Sequence, residues 1–259
     1  MKKALMYLLL ALGICLIMAF IGGAVVGFVS GVIDGYNESV PGTTDSKNIL
    51  ISSGMVVVLL ACVVLQIVFL RLRYASYDVG SIPKAQRWKV MAWLVPAMVG
   101  LALIYLLMYN PLADSNETTR SSYFWIKEHP FISLPYLILI EATGDLILFG
   151  AVLREILQWK HYPQIVLPVF AAVLSFSSGL FSSTMLFVPA FLLAMLEGYI
   201  YEYSRSVIPV IIADAIFWIA MVGLLGVSIP GWCFFVGCLL IVPSTYFVVH
   251  TMEPYKPID

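Results

Sequence analysis

Polar positions are scarce along this chain and fall in clusters. Between the clusters the apolar residues run on, without the two-residue alternation of a half-buried strand or the one-sided stripe of a surface helix. Eight such runs fall at about 4–29, 49–70, 90–109, 131–153, 165–187, 188–203, 207–226 and 232–250. Most reach the roughly 20 residues that a helix needs to cross hydrocarbon, and the sixth is short. A segment apolar on all sides has no face to give to water, and in lipid its backbone must satisfy itself. The pattern therefore predicts an all-α fold, a polytopic transmembrane helical bundle of about eight spans. No internal repeat or low-complexity linker interrupts it, so residues 1–259 are expected to form a single integral membrane domain.

Composition agrees with the pattern. Of the 259 residues 61% are hydrophobic and 11% charged, where a soluble chain carries about 25% charged, and the mean hydropathy is +0.98. A net charge of −1 with no basic cluster gives nothing to neutralise phosphates, so no nucleic-acid partner is expected; the bilayer itself is. The basic residues serve instead to orient the bundle. A cytoplasmic N-terminus leaves Lys2, Lys3, Arg71, Arg73, Lys84, Arg87, Lys89, Arg154, Lys160, Arg205 and Lys256 inside and only Lys47, Arg120 and Lys127 outside, which satisfies the positive-inside rule. Both termini are expected in the cytoplasm, and the membrane to be a bacterial inner membrane.

Other features follow the same reading. Trp88, Trp125, Trp159 and Trp232 fall at predicted span ends, where indoles sit among headgroups. Gly23, Gly27 and Gly31 repeat the spacing that lets helices approach closely, and packing within one chain is the expected use. The first run is longer than a signal-peptide core and is read as an uncleaved span, and Ile14 stands where lipoprotein processing before Cys15 would need a small residue. Cys15, Cys62, Cys233 and Cys238 all lie in apolar runs and are expected to be reduced packing residues. External loops are expected at about 30–48 and 110–130, with sequons at Asn37 and Asn116 that matter only in a glycosylating pathway. Within the second, Ser122 to Pro130 is expected to lie at the outer interface as a short amphipathic turn, with His129 solvated.

Four acids break the apolar spans: Glu141 and Asp145 on the fourth, Glu197 on the sixth and Asp214 on the seventh. A charge at mid-bilayer costs roughly 2.5–3.5 kcal/mol on the insertion scale, so such residues face a cavity or a partner. Glu141 and Asp145 share one helix face through their i, i+4 spacing. Counted at 1.5 Å per residue, Asp145, Glu197 and Asp214 lie about 12, 9 and 10 Å from the cytoplasmic ends of their spans, in one layer. No Lys or Arg shares that depth, Arg154 and Arg205 being at the rim, so the acids are expected to be partly protonated and bonded to each other or to backbone carbonyls. No cofactor and no metal are expected; without His or Cys, a pair such as Asp145 and Asp214 would suit a hard cation only.

The stretch DLILFGAVLREIL, residues 145–157, and the stretch from Pro189 to Trp218 carry a further signal. They resemble the first motif region and the sixth and seventh spans of the CAAX-protease and bacteriocin-processing (CPBP, or Abi) family of intramembrane endopeptidases. The similarity covers about residues 141–222, within a CPBP-like core expected over residues 131–226. Family members carry a Glu-Glu pair followed by Phe-Arg-Gly, where this sequence reads Gly144-Asp145 and Leu148-Phe149-Gly150. The second motif, Phe-x-x-x-His, falls on Ser178 and Ser182, and the third, His-x-x-x-Asn, on Asp214 and Trp218. In the family a glutamate assisted by histidine activates water, and the remaining His and Asn stabilise the oxyanion. Here neither a neutral-pH proton shuttle nor an oxyanion hole survives.

The resemblance thus implies a catalytically degenerate CPBP-like membrane protein that binds a membrane partner or a hydrophobic or lipidated peptide. Its cavity would include Glu197, Ser182, Phe149 and Trp218. Counting from about residue 165, however, puts Ser182 some 25 Å from the cytoplasmic side, far above the acid layer. Two alternatives stand beside it. One is an active endopeptidase in which Glu141, Asp145 and Asp214 act in place of the missing residues; the other is a proton-coupled transporter, since intramembrane acids relay protons. Serine catalysis by the Ser175, Ser177, Ser178, Ser182, Ser183 cluster lacks a positioned base, and small residues in a span serve close packing.

Overall fold

The computed structural model describes residue 13 and residues 44–73, 84–115, 124–159, 163–181 and 186–251. Among these every regular element is helical and none is a strand. In chain order the helices are α1 (Thr44–Arg73), α2 (Lys84–Ser115), α3 (Pro130–Ile147), a π-helical turn at Leu148–Leu153, α4 (Arg154–Trp159), α5 (Pro163–Phe181), α6 (Phe187–Ser204), α7 (Ile208–Leu224) and α8 (Cys233–Thr251). Each predicted run from the second onward coincides with one of them. The first run, with its glycine series and Cys15, lies outside the described residues, as do Asn37 and Asn116.

Three boundaries differ from expectation. The loops at 30–48 and 110–130 are shortened, because α1 begins at Thr44 and α2 continues to Ser115. The fourth run does not stop at residue 153: α3, the π turn and α4 form one continuous helical path to Trp159. Hydropathy marks where apolar side chains end, whereas a helix ends where its backbone hydrogen bonds do, and polar flanks can carry it further. Ahead of α3, residues 124–128 form the expected short helical turn. It is joined to α3 by the Ser133 hydroxyl donating to the Ile126 carbonyl at 3.3 Å, and Pro130 sits in the first turn of α3, where a missing N–H costs nothing.

Helix pairs are joined by small residues. The most extensive contact is α2 against α8, followed by α1 against α3, α5 against α6, and α2 against α7. At the α2–α8 crossing, a Cβ added to Gly100 would stand 2.7 Å from the Gly237 carbonyl oxygen, and one on Gly237 would stand 2.8 Å from Ile104 Cγ1. Only glycines permit that approach, and Trp93 stacks on Phe247 along the same seam at 4.3 Å. The main core gathers Leu94, Met98, Phe149, Leu153, Tyr201 and Phe217, each at most 2% exposed.

The exterior is as apolar as the interior. Ile165, Val169 and Val173 form an exposed i, i+4 stripe on α5, each at least 59% exposed, and Phe235, Leu239 and Val242 do the same on α8 at 68% or more. Val57, Leu60, Val64 and Leu65 repeat it on α1. Among the described residues two helical stretches, Trp88–Pro111 and Pro130–Leu157, are long and apolar enough to cross a membrane, and four others are apolar but shorter. Cys62 and Cys233 are buried and Cys238 is half-buried, as expected of packing residues.

A tight corner sets the height of the site. After α6, Arg205 adopts a left-handed conformation (φ 50°), its N–H donating to the Tyr201 carbonyl at 2.7 Å. The Ser206 N–H donates to Ser204 Oγ, which donates onward to the Ser206 carbonyl, and Arg205 pairs with Glu202 at 2.7 Å. Pro209 then opens α7. Because the corner is short, residues equally far from it on the two helices lie at equal depth. Glu197 is seven residues before the end of α6 and Asp214 six after the start of α7, about 10 and 9 Å at 1.5 Å per residue.

Candidate functional site: a buried carboxylate cavity

Asp145 from α3, Glu197 from α6 and Asp214 from α7 each bring a carboxylate oxygen within 4.8 Å of the other two. All three side chains are buried, at 5%, 6% and 4% exposure. The common depth foreseen from the sequence is therefore a true meeting point. Asp214 shares one hydrogen bond with Asp145 and another with Glu197. No Lys, Arg or His among the described residues lies within ion-pair distance of the three.

The cluster faces a cavity of about 220 Å3 reached by side chains of five helices and the π turn. Tyr105 comes from α2, Phe149 from the π turn, Ser175 from α5, Ala194 from α6 and Trp218 from α7. Glu141, Asp145 and Phe149 follow one another at four-residue spacing and all line it. The π turn widens the helix just where Phe149 and Gly150 are buried beneath the acids, a placement in which π-bulges recur at functional sites. Phe149 is held there edge-on by Phe170 at 5.6 Å and by Tyr201 at 6.1 Å.

Glu141, one helical turn from Asp145 on the same face, is exposed and stands at the open edge of the cavity, because that turn carries it beyond the packed layer. Ser182 lies outside the described residues; Ser175 on α5 lines the cavity. The Ser175 hydroxyl donates to the Ala171 carbonyl at 2.6 Å, which uses its one proton within its own helix and leaves no base beside it. Glu197, Phe149, Asp214 and Trp218 line the cavity. Tyr105 and Ser175 as cavity residues were missed; Tyr105 had no charge or motif to mark it, and Ser175 was one of five serines. His129 stands half-buried before α3, its ring against Trp125, and His250 is exposed near the end of α8; neither lines the cavity.

Two oxygens in this site have no hydrogen-bond partner although they are buried, Asp145 Oδ2 and Glu197 Oε1. A second, smaller cavity of about 60 Å3 lies beyond the first and shares Tyr105 and Trp218 with it. No family model, curated protein or solved structure matches the chain.

Proposed function

We propose that this chain is a polytopic integral membrane protein of CPBP-like architecture in which the place of a peptidase centre is taken by an acidic binding cavity. The membrane part of the reading is supported by the inside-out exterior: apolar stripes on α1, α5 and α8 face outward, in amounts that a water-soluble monomer does not leave exposed. It is supported also by the two stretches of spanning length and by the glycine-lined α2–α8 contact. The distribution of basic residues supports cytoplasmic termini, and a bacterial inner membrane is part of the same proposal.

The observation that carries the functional part is the convergence of Asp145, Glu197 and Asp214 on one cavity without a cationic side chain. The positions matching the first and third family motifs thus face each other, and the residues there bind positive charge better than they cleave peptides. Acyl transfer needs a general base with a proton shuttle and donors for an oxyanion. Here the polar lining is carboxyl groups, a tyrosine, a serine already committed to its own helix and one indole, and carboxylates repel a developing oxyanion. The ligand is a positively charged group, free or carried by a membrane partner or peptide.

Incubating the purified full-length protein with a prenylated peptide is expected to give no product above the detergent blank. On a background lacking the native cysteines, Ala194→Cys, which lines the cavity, is expected to react with a small water-soluble thiol reagent. Cleavage abolished by Asp145→Asn, or a cysteine that stays unreactive, overturns the reading.

A further inference from the structure

We propose that Asp145, Glu197 and Asp214 form a binding site for a hard divalent metal cation of about the size of calcium. The inference rests on the reading of the cavity as a binding site and names its ligand class. Three carboxylates on three different helices place oxygens within 4.8 Å of one another. Oxygens on opposite sides of a calcium ion stand about 4.6–5.2 Å apart and neighbouring ones closer, given bonds of roughly 2.3–2.6 Å, so one ion fits between these groups with small side-chain adjustments. The donors are all oxygen, with no thiolate and no imidazole, a set that suits hard cations and disfavours zinc or copper.

A second observation is independent of the number of acids. Asp145 Oδ2 and Glu197 Oε1 are buried, belong to residues that line the cavity, and have no hydrogen-bond partner. Buried acceptors without a protein partner call for a cation or an ordered water to satisfy them, and here two of them belong to the same three-acid cluster. The remaining coordination has sources at hand. The cavity of about 220 Å3 has room for several waters, each needing roughly 30 Å3. Ser175, whose proton is committed to Ala171, keeps its lone pairs for the cavity side. Electrostatics point the same way. No described Lys, Arg or His pairs with the three acids, and Glu141 at the open edge gives an approaching cation a first negative contact.

Terbium tests this directly, because it is an oxygen-seeking calcium substitute whose luminescence is sensitised by a nearby indole, and Trp218 lines the cavity. Full-length protein in detergent, stripped with EDTA and exchanged free of it, is titrated with Tb3+ under tryptophan excitation. The expected result is a saturable signal that Ca2+ competes away. It weakens roughly tenfold or more in Glu197→Gln and in Asp145→Asn, as loss of even a supporting group does elsewhere, and persists in Trp88→Phe at the exposed start of α2. Where those acid variants fail to fold, the wild type alone decides: Ca2+ is expected to raise its melting temperature and EDTA to reverse the rise. No saturable signal, a signal indifferent to both acid variants, or no calcium effect on melting overturns the proposal. Should Ala194→Cys label freely while Tb3+ and Ca2+ do nothing, the metal inference fails and the binding cavity stands; should it not label, both fail.

Discussion

The contact between α2 and α8 and the meeting of α3, α6 and α7 are both places where helices come close inside an apolar bundle, and they are built on opposite terms. At the first, Gly100 and Gly237 remove side chains altogether, backbone meets backbone, and Ile104 and the stacked Trp93–Phe247 pair fill the remainder. Nothing there needs a partner from outside. At the second, three carboxyl groups hold the helices around open space, and two of their oxygens are left unsatisfied. In lipid, helices gain little from the hydrophobic effect on meeting, so close van der Waals fit and interhelical hydrogen bonds do the joining. The glycine seam uses the first of these fully, and the acid cavity uses the second incompletely. On the proposed reading, that contrast separates a region built for stability from one open to a ligand.

Substitutions on the two sides should therefore differ in size. The largest effect is expected at Ile104, 1% exposed and in contact with the Gly237 position: Ile104→Ala should destabilise by about 2–5 kcal/mol in reversible unfolding in mixed micelles. Gly100→Ala should cost about 1–3 kcal/mol in the same assay, because its methyl would meet backbone oxygen, which cannot turn aside. Glu197→Leu should fall within about 1 kcal/mol of neutral in cation-free buffer, since removing a buried oxygen without a partner offsets the loss of its bond to Asp214. If Glu197→Leu proves as destabilising as Gly100→Ala, the acids are structural and the contrast collapses. The smallest effect is expected for Gly198→Ala, within about 1 kcal/mol of neutral: its Cβ would meet only the flexible end of Leu167, at 3.1 Å, while the helix gains alanine's propensity.

Positions along the chain were legible, and relations across it were not. The apolar runs from residue 49 onward each mark a helix, because a backbone in apolar surroundings has few other ways to satisfy its hydrogen bonds. The shared depth of Asp145, Glu197 and Asp214 was legible too, since helical rise per residue is fixed and the α6–α7 corner is short. Glu141 shows the limit. Its spacing from Asp145 put both on one face correctly, yet the face does not say how far along it the packing extends, and Glu141 falls at the exposed edge. Ser175 among five serines, Tyr105 among fourteen tyrosines, and Gly100 and Gly237 among eighteen glycines carried no mark of their roles, because each role is defined by another helix.

By itself, then, the sequence determined an all-helical chain, the order and extent of its helices, and the height of its buried acids, all of which follow from local hydrogen bonding and a constant rise. Only the tertiary structure decided which faces turn toward one another. That choice depends on side-chain fit between segments far apart in the chain, and it makes one pair of glycines a seam and one set of acids a cavity.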